Sequence, residues 1–158
     1  MRAYVGLGAN LGDARAGLQA AVRALAALPG TRLVACSSLY RSAPIDATGP
    51  DFLNAVVALD TTLAPRELLA ALHGIESAHG RERPYRNAPR TLDLDLLMHG
   101  DAAQASAEIT LPHPRMHERA FVMQPLQELG ASVRGVDARA LSSQVLERIE
   151  PPSWADGA

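Results

Sequence analysis

The chain has 158 residues, of which 47% are hydrophobic and 20% are charged, and its formal net charge is −2. This length and composition predict a single globular domain over residues 1–150, followed by a loose tail over 151–158. The near-neutral charge excludes a general attraction to nucleic acids or acidic membranes, and without a ~20-residue apolar run or a signal peptide we expect a cytoplasmic protein.

Hydrophobic periodicity predicts six core elements in the order strand, helix, strand, strand, helix, strand. Apolar residues that alternate with period two indicate the strands, and apolar residues three and four positions apart indicate the helices. The predicted elements are a strand over 3–8, a helix that Asp13 caps and Pro29 ends, strands over 31–40 and 52–59, a helix that Pro65 opens and Gly80 follows, and a strand over 92–98. This order is typical of the βαββαβ core of a ferredoxin-like α+β fold.

Shorter elements are predicted beyond this core. They are a short strand over 109–111, a helix over 119–129 closed by Gly130, and a helix over 138–149. No periodicity follows residue 151, which predicts the loose tail. The single cysteine, Cys36, cannot form an internal disulfide and is predicted to be a small buried hydrophobic residue. The glycines of GLGANLG, residues 6–12, lack the spacing of a dinucleotide fingerprint. They predict a tight turn and close backbone approach, and whether this turn lines a ligand pocket is left open.

Two acidic residues, Asp93 and Asp95, lie in the last strand of the predicted core. Residues i and i+2 of a strand point to the same side, so we expect both carboxylates on one face with their Cα atoms about 7 Å apart. Leu92, Leu94 and Leu96 then point into the core. Neighbouring carboxylates repel one another unless a cation lies between them, and hard oxygen ligands suit Mg²⁺. A solvated edge strand is the alternative interpretation.

A strongly basic segment leads directly into this strand. Residues 80–91 read GRERPYRNAPRT and contain four arginines and one acid, a net charge of +3 (four minus one). The arginines are Arg81, Arg83, Arg86 and Arg90. Pro84 and Pro89 exclude a continuous helix, so the segment is predicted to be a loop. Guanidinium groups bind phosphate oxygens bidentately and carboxylate-bound Mg²⁺ bridges them, so loop and strand predict a polyphosphate clamp. Arginines paired with the aspartates are the alternative.

Three other classes of function compete with this interpretation. Ferredoxin-like RNA-binding modules stack bases on sheet aromatics, but this chain has only two Phe, three Tyr and one Trp. An Asp-x-Asp pair also binds metal and diphosphate in nucleotide-sugar glycosyltransferases, which need a larger domain and would leave the arginines unexplained. A non-catalytic ferredoxin-like binding module is the third class. Binding of MgATP, of a sugar nucleotide or of neither ligand would separate the two enzyme classes from the module.

Five segments of the chain form a recognisable pattern in one order and spacing. They read GLGANLGD at 6–13, SSLYRSAP at 37–44, DFLNAVVAL at 51–59, GRERPYRNAPRTLDLDLL at 80–97 and LPHPRMHERAFVMQPL at 111–126. In this pattern the chain resembles the bacterial 6-hydroxymethyl-7,8-dihydropterin pyrophosphokinases, which transfer pyrophosphate from ATP to a pterin alcohol in folate biosynthesis. The resemblance covers most of the chain, and its most specific part runs from Pro89 to Asp95.

The resemblance implies roles for the residues of the clamp. It implies that Asp93 and Asp95 bind two Mg²⁺ ions on the ATP phosphates. It also implies that Arg81 and Arg90 lie in a catalytic loop that closes over the triphosphate. The other implied ATP contacts are Arg83, Arg86, His113 and Arg119. The pterin alcohol is then expected to attack the β-phosphorus and release AMP, with Asp95 helping the alcohol to lose its proton.

The resemblance also implies where the pterin binds. Phe121 would stack on the pterin ring and Asn54 would hydrogen-bond its edge, with Glu76 also near substrate. The implied pterin-binding residues are Ser42, Ala43, Ile45, Phe52, Asn54 and Phe121. Many family members carry tryptophan where this chain has Asn87, and Tyr85 could supply a ring from two positions earlier. We expect a monomer with no nucleic-acid or membrane partner.

Overall fold

The described part of the chain, in a computed structural model, contains a six-stranded antiparallel sheet with helices on both faces. The structure describes residues 1–9, 14–42, 52–80, 92–100, 104–105, 109–111, 113, 120–131 and 146–157. The strands are β1 (Arg2–Ala9), β2 (Thr31–Cys36), β3 (Leu39–Ser42), β4 (Phe52–Thr61), β5 (Asp93–His99), β6 (Gln104–Ala105), β7 (Thr110–Leu111) and β8 (Leu146–Glu150). The helices are α1 (Ala14–Ala26), α2 (Pro65–Gly80) and α3 (Ala120–Glu128), with a terminal 3₁₀ helix over Pro152–Gly157.

The strand order of the sheet matches the predicted core. β5 lies beside β1, β1 beside β4 and β4 beside β3, with β8 outside β3, while β2 also pairs with β4. Taken together as the second core strand, β2 and β3 complete the antiparallel βαββαβ order of a ferredoxin-like fold, so the predicted fold class is confirmed. One boundary differs, because β1 pairs through Gly8 and continues to Ala9, into the predicted turn.

Alternating side chains give the sheet two apolar layers. In the first layer, one face packs against α1 and α2 through fully buried residues such as Val5, Leu59 and Leu68. In the second layer, the other face packs against α3, with Val56 and Leu97 on the sheet side. The second layer is centred on Val56 and Leu97, so the first residues of β4 and β5 lie outside it.

The predicted strand over 31–40 is divided in the structure at Ser37 and Ser38. Both serines are fully buried, and the Ser37 N–H donates to Val56 O (2.8 Å) while the Val56 N–H donates to Ser37 Oγ (2.9 Å). β2 pairs with the last residues of β4 and β3 with its first, as consecutive parts of one antiparallel strand do, and the register shifts by one residue between them. Cys36, predicted to be buried, is half-buried and packs against the first layer.

Two of the three short elements predicted after the core are confirmed and one is wrong. The confirmed elements are β7 and α3, and Gly130 ends α3 with a φ of 77°. The helix predicted over 138–149 is wrong in its described part, where β8 pairs with β3 and Arg41 Nη2 donates to Glu147 Oε2 at 2.6 Å. Leucine and isoleucine at 146 and 149 have helical spacing, but pairing with an available strand edge outweighs that weak local preference.

The tail predicted to be loose is ordered by one aromatic residue. Trp154, in the terminal 3₁₀ helix, is 2% exposed and packs in the first layer. Its Nε1–H donates to Ser37 O at 2.9 Å, and its carbonyl accepts from Gln19 Nε2 at 2.8 Å. The prediction failed because a single large side chain supplies the apolar burial that an aperiodic tail otherwise lacks, and its ring N–H finds a partner.

We expect Trp154→Ala to lower the free energy of unfolding by about 3–5 kcal/mol, because it leaves a cavity the size of an indole in the first layer. Ser153→Ala, at the exposed neighbouring position, is the matched control and should leave stability unchanged. Urea unfolding followed by circular dichroism measures both variants. Equal unfolding midpoints for the two variants would contradict a tail that contributes to the core.

Candidate active site

The acidic pair lies at the start of β5, an edge strand of the sheet. Leu92, Leu94 and Leu96 are 3%, 4% and 4% exposed and lie in the first layer. Asp93 is exposed and Asp95 is half-buried on the opposite face. The predicted alternation of this strand is therefore confirmed, and both carboxylates lie on the face that α3 covers only in part.

Glycines lie beside both aspartates on the neighbouring strand. In the β1–β5 register Gly8 pairs with Asp93 and Gly6 with Asp95, and on its other side Gly8 pairs with Asn54 of β4. A β-carbon at Gly8 would lie 3.4 Å from Asn54 Oδ1. Gly6 and Gly8, which we call the glycine strip, place no side chain of β1 on this face. Gly8 lies between Asp93 and Asn54, whereas a β-carbon at Gly6 would lie 3.5 Å from the Leu97 side chain.

The side chain of Asn54 is held in one orientation. It is 4% exposed, and its Nδ2 donates to Ser42 Oγ at 2.7 Å and to Phe52 O at 3.4 Å. With its N–H groups engaged on this side, Asn54 directs Oδ1 over the glycine strip as a hydrogen-bond acceptor. The structure thus brings three predicted pterin contacts together, whereas Ala43 and Ile45 lie outside the described residues.

Three connecting segments leave the sheet at this same end. Residues 10–13 follow β1, residues 43–51 join β3 to β4, and residues 81–91 join α2 to β5. Near the end of α2, Glu76 Oε2 accepts from the Leu94 N–H at 3.0 Å. This bond joins the two elements that flank residues 81–91, which we call the arginine segment. The arginines of that segment, which lie outside the described residues, are Arg81, Arg83, Arg86 and Arg90.

The remaining predicted contacts follow β5 in the chain. The His113 N–H donates to Leu97 O at 2.9 Å, so the structure places His113 beside the acidic strand. Arg119 lies outside the described residues. Phe121 is the second residue of α3, and only its backbone is described. The backbone therefore brings His113 to the strand of the acidic pair and the start of α3 to the same face of the sheet.

The donor set of the acidic pair suits one kind of metal site. Among the described residues, no group of three or more His, Cys, Asp or Glu side chains could hold a metal ion. Asp93 and Asp95 therefore provide two carboxylates on an open face. Structural zinc needs four protein ligands, whereas Mg²⁺ binds one or two carboxylates together with water and substrate phosphates. The pair fits a hard divalent cation, such as Mg²⁺, that is bound together with a phosphate substrate.

A polar network between the end of α3 and residues 38–40 was not predicted from the sequence. Glu128 Oε1 accepts from the Ser38 N–H (2.9 Å) and the Tyr40 hydroxyl (2.8 Å), and Oε2 accepts from Ser38 Oγ (2.6 Å). Burial and the bond to Glu128 raise the pKa of Tyr40 to about 12. Partial burial opposes ionisation of Glu128, but hydrogen bonds from Ser38 and Tyr40 outweigh it and lower its pKa. Ser37 and Ser38, two polar residues within a predicted strand, were the sequence feature that could have indicated this network.

Comparison with known proteins identifies the family. Residues 4–131 match the model of the 7,8-dihydro-6-hydroxymethylpterin-pyrophosphokinase (HPPK) family. A 2-amino-4-hydroxy-6-hydroxymethyldihydropteridine pyrophosphokinase of Pseudomonas aeruginosa is 49% identical over 141 residues, which are 89% of this chain and 87% of the relative. The chain belongs to the HPPK family. A relative of the same name from Methylorubrum extorquens is 45% identical over 157 residues, 94% of this chain and 99% of its own.

Solved structures show the HPPK fold. The match to a Plasmodium falciparum HPPK-DHPS crystal structure has a TM-score of 0.69 at 12% identity and covers 89% of this chain. This chain spans 42% of that longer chain. At this identity the match supports the ferredoxin-like fold and carries no information on individual site residues.

Membership in the HPPK family decides between the alternative functions that the motifs allowed. The chain is an ATP-dependent pyrophosphokinase that transfers pyrophosphate to hydroxymethyldihydropterin in folate biosynthesis. An ATP-using kinase of this type works with a divalent metal ion. The glycosyltransferase and the non-catalytic module are therefore excluded. In the described part of the HPPK chain, no helix has the length and hydropathy needed to cross a membrane.

Proposed function

We propose that ATP and hydroxymethyldihydropterin bind side by side at the end of the sheet where the acidic pair, the glycine strip and Asn54 meet. The observation that carries this proposal is the pairing of Gly8 with Asp93 on one side and Asn54 on the other. Two strand spacings of ~4.8 Å place the Cα atoms of Asp93 and Asn54 about 10 Å apart. A substrate held at its edge by Asn54 can therefore extend its reacting arm across the strip toward the aspartates.

The pterin end of the site is proposed to recognise hydrogen-bond donors. Asn54 Oδ1 is an acceptor, so it suits the amino and ring N–H groups along one edge of the pterin. Ser42 keeps that acceptor in place by holding the amide nitrogen. We assign stacking of the pterin ring to Phe121. The remaining proposed pterin contacts are Ala43, Ile45 and Phe52.

The phosphate end of the site is proposed to combine the acidic pair with cationic side chains. We assign two Mg²⁺ ions to Asp93 and Asp95, where they would neutralise charge on the phosphate oxygens. The arginine segment connects α2 to β5, and the Glu76–Leu94 hydrogen bond joins these two elements. We therefore expect its guanidinium groups to reach the triphosphate. The proposed cationic phosphate contacts are Arg81, Arg83, Arg86, Arg90, His113 and Arg119.

The proposed reaction is an in-line displacement at the β-phosphorus. The alcohol oxygen of the pterin bonds to that phosphorus, the bond to the α,β-bridging oxygen breaks, and its electron pair leaves with AMP. Asp95 is assigned to help the alcohol lose its proton. Positioning and charge neutralisation supply most of the catalysis in such transfers, so no stronger general base is required.

We expect AMP and not ADP as the nucleotide product when the protein is incubated with MgATP and hydroxymethyldihydropterin. Chromatography of the nucleotides after one turnover should show AMP and pterin diphosphate in equal amounts. A reaction without the pterin is the control, because AMP in that reaction would report simple hydrolysis. Stoichiometric ADP would mean that the clamp transfers the γ-phosphoryl group, and the proposed displacement would be wrong.

We also propose that the enzyme acts in the cytoplasm as a monomer without a nucleic-acid partner. The described residues proposed for the site, such as Asp93, Asn54 and His113, come from the sheet and from segments beside it in one chain, so these residues meet without a second copy. Size-exclusion chromatography with light scattering measures the mass in solution. A dimer at assay concentration would contradict the monomer.

A further inference from the structure

The described contacts of α3 with the rest of the fold are of two kinds. Val122, Met123 and Leu126 pack on the sheet in the second layer. Apolar packing of this kind is non-directional, so it fixes the distance of a helix from a sheet better than its slide or rotation. Glu128, at the end of α3, adds directional contacts through the three hydrogen bonds it accepts from Ser38 and Tyr40.

On the sheet side, these bonds lead directly to the proposed pterin site. Tyr40 is the register partner of Asn54, and Ser42, two residues further along β3, holds the Asn54 amide at 2.7 Å. A shift of β3 would therefore move both the hydroxyl that orients Asn54 and the backbone beside it.

On the helix side, Glu128 lies at the other end of α3 from the proposed stacking residue. The Phe121 backbone is seven residues earlier, and Pro125, which has no N–H to bond the Phe121 carbonyl, lies between them. The position of the Phe121 backbone relative to β3 therefore depends in part on how α3 is held at its other end. Glu128 is the described α3 side chain that bonds directly to β3.

The exposure of the network separates a positioning role from a stabilising one. Ser38 and Tyr40 are 0% and 3% exposed, whereas Glu128 itself is exposed. Water can therefore reach the donors when the carboxylate is removed, so little stability should be lost. Arg148 Nε also donates to Ser38 Oγ at 2.7 Å and remains after that change. Loss of the carboxylate removes the link between helix and strand without opening the core.

We propose that Glu128 is a positioning residue for the pterin half of the site. It fixes α3 against β3, and through them the spacing between Phe121 and Asn54. This inference rests on the proposed pterin site. It predicts that the KM for the pterin depends on Glu128, whereas the binding of ATP at the acidic pair does not.

The test compares Glu128→Ala with Glu147→Ala, because glutamine would keep the Oε1 acceptor that takes the Ser38 N–H and Tyr40 hydroxyl bonds. Glu147 is an exposed carboxylate of β8 that pairs with Arg41 and serves as the matched control. We expect Glu128→Ala to raise the KM for the pterin about tenfold or more, because a small displacement of a substrate wall is costly. The kcat, the KM for ATP and the melting temperature should stay close to wild type. Glu147→Ala should change none of these quantities.

Several outcomes would overturn the inference. An unchanged KM for the pterin would do so, as would an equal rise in both KM values or a fall in melting temperature without a change in KM. Should Glu128→Ala fail to fold, Tyr40→Phe removes a single bond of the network, and it must raise the KM for the pterin about threefold. Wild-type AMP formation tests the proposed function separately, because it does not depend on either variant.

Discussion

Asp95→Asn is expected to lower kcat for AMP formation by about 1000-fold while the protein stays folded. Metal-assisted charge neutralisation supplies several kcal/mol at the transition state, and about 4 kcal/mol corresponds to this factor. The fold should survive because Asp95 lies outside the apolar layers and Leu94 and Leu96 keep their buried positions. Single-turnover assays at several Mg²⁺ concentrations, with circular dichroism on the same sample, measure both quantities.

Asp60→Asn is the matched control for this prediction. Asp60 is an aspartate of β4 in the same sheet, but it pairs with Arg2 and Arg32 at the opposite end from Gly8 and Asn54. We expect its activity to stay within about twofold of wild type, because exposed ion pairs contribute little. Near-normal turnover of Asp95→Asn would show that the acidic pair is only a solvated strand face and would remove the two-metal assignment.

Arg81→Ala and Arg90→Ala are each expected to lower kcat by about 100–1000-fold, with much smaller changes in the dissociation constant of MgATP. Groups that contact the transferred phosphates mainly in the transition state act on kcat, because their binding free energy is realised only there. The hydrogen bond between Glu76 and Leu94 joins α2 to β5, the two elements that flank this segment. Single-turnover rates and equilibrium titration with MgATP separate the two quantities.

Arg32→Ala is the control for the arginine variants, because Arg32 is a highly exposed guanidinium with a carboxylate partner far from the site. It should leave both kcat and nucleotide affinity unchanged. If Arg81→Ala and Arg90→Ala weaken MgATP binding but keep the wild-type kcat, the segment is a binding surface and not a catalytic clamp. A general loss of stability in both variants would instead favour arginines that pair with the aspartates.

The local chemistry of the sequence was sufficient for the fold class and for the orientation of the acidic pair. Period-two alternation depends only on neighbouring residues of one strand. The positions of Leu92 and Leu94 were therefore enough to predict which side chains of this strand lie in the first layer. The order of six periodic segments was enough to predict the βαββαβ core, since connections between such segments are restricted. The five motifs were enough to indicate the family that the comparisons confirmed.

Tertiary structure alone decided the features that depend on residues far apart in the chain. Trp154 and Ser37 are separated by 117 positions, and Glu128 and Ser38 by 90, yet each pair is hydrogen-bonded. No local pattern predicts such contacts, because the donor and acceptor meet only after the sheet has formed. β8 was wrongly predicted to be a helix for the same reason, because the β3 edge with which it pairs is distant in the sequence.

The features of the candidate site also fall into those that the sequence predicted and those that only the tertiary structure showed. Sequence supplied the two carboxylates and their common face, because that depends on one strand. Only the register of three strands showed that Gly8 lies between Asp93 and Asn54. A glycine in a motif predicts a turn as readily as a gap in a sheet, and the choice between them depends on which strands pair beside it. The sequence by itself therefore determined the chemical groups of the site, while cross-strand pairing decided the distance between them.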